Sequence, residues 1–148
     1  MKRRSVAAVL ALFVGAAGPT AAAPSAPPHG AVVTVHALAT EAGVEALRAG
    51  GNAVDAVVAA GLVLGVVDGH NSGLGGGCLL LVRSPDGTIA AIDGRETAPA
   101  AATPGMFLVE GRADPALSRT GPLAIATPGQ AAAFHDALES FGRLPWRD

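Results

Sequence analysis

Tyrosine is absent from the 148 residues, tryptophan occurs once and phenylalanine four times. That excludes an aromatic platform on which nucleic-acid bases could stack. Lysine occurs only as Lys2, so no phosphate-cradling loop with its Gly-Lys-Ser/Thr signature is present. Lys and Arg number 10 against 12 Asp and Glu, and Lys2, Arg3 and Arg4 sit at the extreme N-terminus. The rest of the chain is therefore more acidic than its formal charge, and no basic stripe exists for a nucleic-acid partner. Cys78 is the single cysteine, which rules out an intrachain disulfide framework. No apolar run reaches the roughly 20 residues of a membrane-spanning helix, so no stable membrane span is expected. His29, His36, His70 and His135 have no metal-ligand spacing with Cys78 or with one another, and neither a metal nor another cofactor is expected.

What is abundant is Ala, Val, Leu and Gly: apolar residues make up 50% of the chain, with 20 glycines and 11 prolines. Such a sequence packs closely while burying little area per residue. Its length suits one domain of ordinary size. At the N-terminus, three cations precede an apolar run over 6–17 and the small residues Thr20-Ala21-Ala22-Ala23. This three-part layout predicts a secretory signal peptide over 1–23 and an exported, periplasmic or secreted protein. A Pro-rich linker over 24–30 leads into a folded part over 31–148.

Residues 31–36 (AVVTVH) read as a strand rich in β-branched side chains. Helical spacing follows over 37–49, with Ala39, Ala42, Ala46 and Leu47 on one face, and Gly50-Gly51 supply a left-handed C-terminal stop. Asn52 is placed to cap a second helix over 53–67, with Asp55 in its first turn. That helix is apolar all round apart from Asp55, which predicts the buried central helix of a larger layered fold, with any exposed face marking a missing partner. After a glycine-rich loop over 68–77, strands are predicted at 78–83 and 88–93 about the turn Ser84-Pro85-Asp86-Gly87. A further strand is expected at 122–126. Thr127-Pro128-Gly129-Gln130 then reads as a capping box opening a helix with Ala131, Phe134, Leu138 and Phe141 inward. The order predicts an α/β protein, α+β layered, with an antiparallel sheet.

Three features bear on chemistry. The loop Gly73-Leu74-Gly75-Gly76-Gly77 has the wrong spacing and the wrong flanking elements for a dinucleotide site; it serves either close backbone packing or the border of a pocket. Cys78 opens an apolar run, where a thiol acts as a small hydrophobe unless a base or cation lowers its pKa. In Asp93-Gly94-Arg95-Glu96-Thr97-Ala98-Pro99, a guanidinium stands at a strand end. Two roles are open to it: an ion pair with Asp93 or Glu96, or bidentate binding of a carboxylate.

Gly50-Gly51-Asn52-Ala53-Val54-Asp55-Ala56, the loop His70-Asn71-Ser72-Gly73-Leu74-Gly75-Gly76-Gly77, the Asp93–Pro99 segment, Thr127-Pro128-Gly129 and Gly142-Arg143-Leu144-Pro145-Trp146 occur in this order. Together they resemble γ-glutamyltransferases from about Gly30 to the last residue. The resemblance implies the N-terminal portion of an αββα N-terminal nucleophile hydrolase sandwich, incomplete in this chain. Relatives of this kind are made as one precursor that cleaves itself, and a freed threonine attacks γ-glutamyl amides such as glutathione. The acyl group then passes to water or to an amino acid. By the same resemblance Arg95 binds the α-carboxylate of the γ-glutamyl substrate. The nucleophilic threonine and the oxyanion donors belong to a C-terminal catalytic subunit, the implied partner, so the chain is expected to be inactive alone.

The sequence departs from the family pattern at Asp68-Gly69, commonly Glu-Pro, at Asn71, commonly Ser, and at Cys78, commonly a small residue. A related acylase of divergent substrate and a non-catalytic exported binding module are the alternatives. A third makes Cys78 a nucleophile exposed by cleavage after Gly77.

Overall fold

The computed structural model describes residues 30–147. Helix α1 (Ala37–Arg48) and helix α2 (Ala53–Val67) form a tight hairpin. Strands β1 (Cys78–Arg83) and β2 (Ile89–Gly94) pair antiparallel, and β3 (Leu108–Val109) and β4 (Arg112–Ala113) make a second, two-residue pair. A single 3-10 turn at Pro122–Ala124 precedes helix α3 (Gln130–Phe141). This is the expected layered mixture of helices with an antiparallel sheet. The signal peptide and linker predicted over 1–30 fall, but for Gly30, outside the described residues.

Local signals set the helical hairpin. His36 caps α1, its Nδ1 accepting the N–H of Leu38 at 3.2 Å. At the other end Gly50 has φ 95, and the N–H groups of Gly50 and Gly51 return to the carbonyls of Leu47 and Ala46. That is the Schellman arrangement, for which a left-handed glycine is the natural residue. Asn52 and Asp55 then form a reciprocal capping box on α2: Asn52 Oδ1 accepts Val54 N–H, and Asp55 Oδ2 accepts Asn52 N–H at 2.6 Å. Asp55 is only 3% exposed. It also receives the N–H groups of Arg143 and Leu144, while Asn52 Nδ2 donates to the carbonyl of Phe141 at 2.6 Å. The turn between α1 and α2 is thus tied to the chain leaving α3.

The core is built largely from alanine: Ala39, Ala46, Ala56, Ala60, Ala133 and Ala137 are buried, joined by Val58 and by one large side chain, Phe134. Small residues let α1, α2 and α3 approach closely. One face of the β1–β2 sheet (Leu80, Val82, Ala90, Ile92) lies inward with α3 beside it; on the other, Leu79, Leu81 and Ile89 are exposed.

Several expectations are corrected. Residues 31–36 form no strand: 31–34 have no regular structure, 35–36 bend into α1, and among the described residues β1 and β2 pair only with each other. The cover expected for helix α2 in a larger fold is partial here: α1 and α3 cover Ala56, Val58 and Ala60, whereas Val57 and Val66 are exposed. At 122–126 a proline-led 3-10 turn replaces the strand. No capping box opens α3; Gly129 is its N-cap, because the main chain of Thr127 is drawn into a bridge with Thr97. The buried face of α3 is Gln130, Ala133, Phe134 and Ala137, with Ala131 exposed. Strand β2 runs one residue later than predicted, from Ile89 rather than Thr88. None of the helices is long and apolar enough to cross a membrane among the described residues.

Candidate functional site

Arg95 is the first residue beyond β2, whose register opposite β1 ends with Gly94 facing Cys78. The Arg95 N–H donates to Asp93 Oδ1 at 3.0 Å, a local turn that bends the chain out of the sheet. Two residues on, Thr97 and Thr127 exchange both backbone hydrogen bonds, at 3.2 and 2.9 Å. The carbonyl of Gly76 accepts the N–H of Gly129 at 3.1 Å and of Gln130 at 3.2 Å. Three of the segments singled out in the sequence therefore meet: the glycine-rich loop, the segment carrying Arg95 and the start of α3.

The Arg95 side chain is 68% exposed, and its Nε stands 3.4 Å from Glu96 Oε2, an ion-pair distance without a hydrogen bond. Among the described residues no hydrogen bond engages its two terminal nitrogens. Glu96 is the more buried partner, and its Oε2 has no hydrogen-bond partner among the described residues. Of the two candidate anions, Glu96 thus pairs with the guanidinium, and Asp93 holds the main chain instead. The arrangement is chemically suited to planar anions: one carboxylate steadies Nε and leaves the outward fork for a second.

Burial, followed by the nearby charge of Glu96, pushes the Cys78 thiol above its ordinary value. A nucleophilic thiol needs the opposite environment, and among the described residues none is supplied. His70 is exposed on the loop, its Nε2 lying 3.3 Å from Asp68 Oδ1, which also accepts the Asn71 amide. No group of three or more potential metal ligands is gathered among the described residues. A separate cavity of about 750 Å³ lies between residues 30–34, α2, the glycine-rich loop and Phe134. Cys78 and Gln130 line it, but Arg95 does not.

Sequence reasoning missed the main-chain crossing beneath Arg95. The signal was present in the glycines Gly77 and Gly129, but only spatial proximity shows what they lie against. It also missed the burial of Gln130, 4% exposed, because α3 begins later and turns differently than predicted.

Comparison with known proteins agrees with the order of motifs. Residues 39–148 match the Gamma-glutamyltranspeptidase family. The chain is 44% identical to the glutathione hydrolase proenzyme of Escherichia coli K12, an alignment that covers 93% of this chain and 27% of that protein. It is 42% identical to glutathione hydrolase proenzyme 1 of Schizosaccharomyces pombe, over 80% of this chain and 18% of the relative. The chain thus spans about a quarter or less of the length of these relatives. Among solved structures, the Helicobacter pylori gamma-glutamyltranspeptidase superposes with a TM-score of 0.74 at 40% identity, covering 78% of this chain and 33% of that one. The Bacillus anthracis transpeptidase CapD gives 0.60 at 34% identity, over 79% of this chain and 34% of that one. In sequence, in motif order and in the N-terminal nucleophile hydrolase fold of these neighbours, the chain belongs to the γ-glutamyltranspeptidase family.

Proposed function

We propose that this chain is the substrate-gripping part of an exported γ-glutamyl hydrolase or transferase, with Arg95 holding the α-carboxylate of the donor. The observation that carries the reading is an exposed guanidinium whose fork has no hydrogen-bond partner among the described residues, carried at the crossing of three segments. A γ-glutamyl donor presents a planar carboxylate at its α-carbon, and an arginine fork matches it in charge and geometry. Glutathione is the natural candidate, since the curated relatives are named glutathione hydrolases.

Arg95 contributes binding and orientation rather than bond making. In this reading the attack on the γ-amide, the covalent acyl-enzyme and the oxyanion donors come from a catalytic subunit of the same precursor. Two features support such a partner. The relatives are named proenzymes and are several times longer than the matched region. The sheet face bearing Leu79, Leu81 and Ile89, 67–78% exposed, has the character of an interface rather than of a finished surface.

The test is kinetic, on the complete protein and on the chain of 148 residues. Arg95→Lys in the complete protein is expected to raise the donor KM by about 10- to 100-fold, the scale of a lost charge-assisted hydrogen bond. The isolated chain is expected to leave a chromogenic γ-glutamyl amide intact. Turnover by the isolated chain, or an unchanged donor KM in Arg95→Lys, overturns the reading.

A further inference from the structure

We propose that Gly77 and Gly129 are positioning residues for Arg95, together clamping the main chain that carries it; the inference rests on the carboxylate-binding reading above. The Arg95 side chain is mostly exposed and has one ion-pair contact, so side-chain packing does little to orient it. Its placement comes from the backbone at 94–96, and that backbone packs against two others, at Gly77 and at Gly129.

A Cβ on Gly77 would lie 2.9 Å from Arg95 Cα and 2.9 Å from Glu96 N, and would overlap the Gly94 carbonyl oxygen. A Cβ on Gly129 would overlap the same Gly94 carbonyl oxygen, and would lie 2.8 Å from the Gly94 carbonyl carbon and 2.9 Å from Arg95 O. These are main-chain atoms, which cannot swing aside as the tip of a long side chain does. Neither glycine has a positive φ, so the requirement is for space, not for an unusual conformation. Hydrogen bonds hold the clamp shut: Gly76 O receives Gly129 N–H and Gln130 N–H, and Thr97 pairs with Thr127. A methyl group at either glycine therefore moves the Arg95 main chain. Bidentate recognition tolerates displacements of only a fraction of about 1 Å.

The loop contains its own graded probe. A Cβ on Gly75 meets nothing within 4 Å, whereas one on Gly76 would touch Glu96 Oε1 at 3.4 Å, an ordinary contact with a movable carboxylate. Only at Gly77 does the added atom overlap backbone.

The experiment measures kcat and KM for a chromogenic γ-glutamyl anilide in the complete protein. Gly75→Ala, Gly76→Ala, Gly77→Ala and Gly129→Ala are each made with Arg95 intact and in an Arg95→Lys background. With Arg95 intact, the expected donor KM is unchanged for Gly75→Ala and Gly76→Ala and raised about tenfold or more for Gly77→Ala and Gly129→Ala, with kcat changing less. In the Arg95→Lys background these increments shrink toward nothing, because the group being positioned is already lost. Equal factors in both backgrounds, or a wild-type KM in Gly77→Ala and Gly129→Ala, overturn the proposal. If Gly77→Ala does not fold, Gly129→Ala across the two backgrounds decides in the same way. An Arg95→Lys parent with an unchanged KM identifies the carboxylate reading itself as the failure, and the clamp falls with it.

Discussion

The carboxylate of Asp55 and the backbone N–H of Leu144 meet at 3.0 Å although they lie 89 positions apart. The same carboxylate accepts Asn52 N–H and Arg143 N–H, and it is almost wholly buried. Two motifs that the sequence presents as separate, one opening α2 and one following α3, are therefore halves of one joint.

Asp55→Ala is expected to destabilise the complete protein by about 2–3 kcal/mol, since it removes a helix cap and strands buried N–H donors. A lowered thermal midpoint checks this; a midpoint equal to wild type would show that the joint carries no stability.

The joint also gives a pH dependence. Burial alone would raise the Asp55 pKa, but the N–H groups of Asn52, Leu144 and Arg143 outweigh it and hold the carboxyl below its ordinary value. The folded state is then the stronger acid, so the unfolded chain takes up the proton first as pH falls. The stabilisation is complete at neutral pH and is lost progressively below the ordinary carboxylate range. Thermal midpoints recorded from pH 7 downward should converge for wild type and Asp55→Asn at the acid end. Parallel curves would contradict the assignment.

Cys78 is expected to behave as a packing residue. Its alkylation by iodoacetamide should be slower than that of an unfolded control and should reach its maximum at higher pH, as burial and the charge of Glu96 require. Glu96→Gln removes the second cause and should shift the profile to lower pH. Cys78→Ala should leave γ-glutamyl turnover within about twofold of wild type; an inactive but folded variant would restore Cys78 as a nucleophile.

Export is checked by the mature N-terminus. A signal peptide over 1–23 predicts a periplasmic or secreted product whose N-terminal sequence begins near Ala23, and a cytoplasmic product retaining Met1 would contradict it.

What could be read from sequence was what local chemistry decides. Gly50 and the Asn52–Asp55 pair set the ends of α1 and α2, and Pro85-Asp86-Gly87 sets the β1–β2 turn, so these elements lie within a residue or so of their predicted bounds. Arg95 stands at a strand end in sequence and structure alike, because the apolar stretch over 89–92 gives way to the charged cluster Asp93-Gly94-Arg95-Glu96. What failed was decided by partners distant in sequence. Thr127 has the chemistry of an N-cap, yet its backbone pairs with Thr97, and the N-cap of α3 is Gly129, two residues later. Residues 31–36 have strand composition but no neighbouring strand among the described residues to complete a ladder. The crossing of Gly77, Arg95 and Gly129 joins segments separated by long stretches of chain, and no local signal specifies which glycines will touch.

The account turns on whether Arg95 recognises a carboxylate, and the most direct measurement compares two donors in the complete protein. One is a γ-glutamyl anilide; the other is the 4-aminobutanoyl anilide, identical except that the α-carboxylate is missing. Wild type is expected to prefer the first in kcat/KM by at least about 10- to 100-fold. Arg95→Met should erase most of that preference by weakening use of the carboxylate-bearing donor alone. A preference that survives Arg95→Met undiminished would contradict the account.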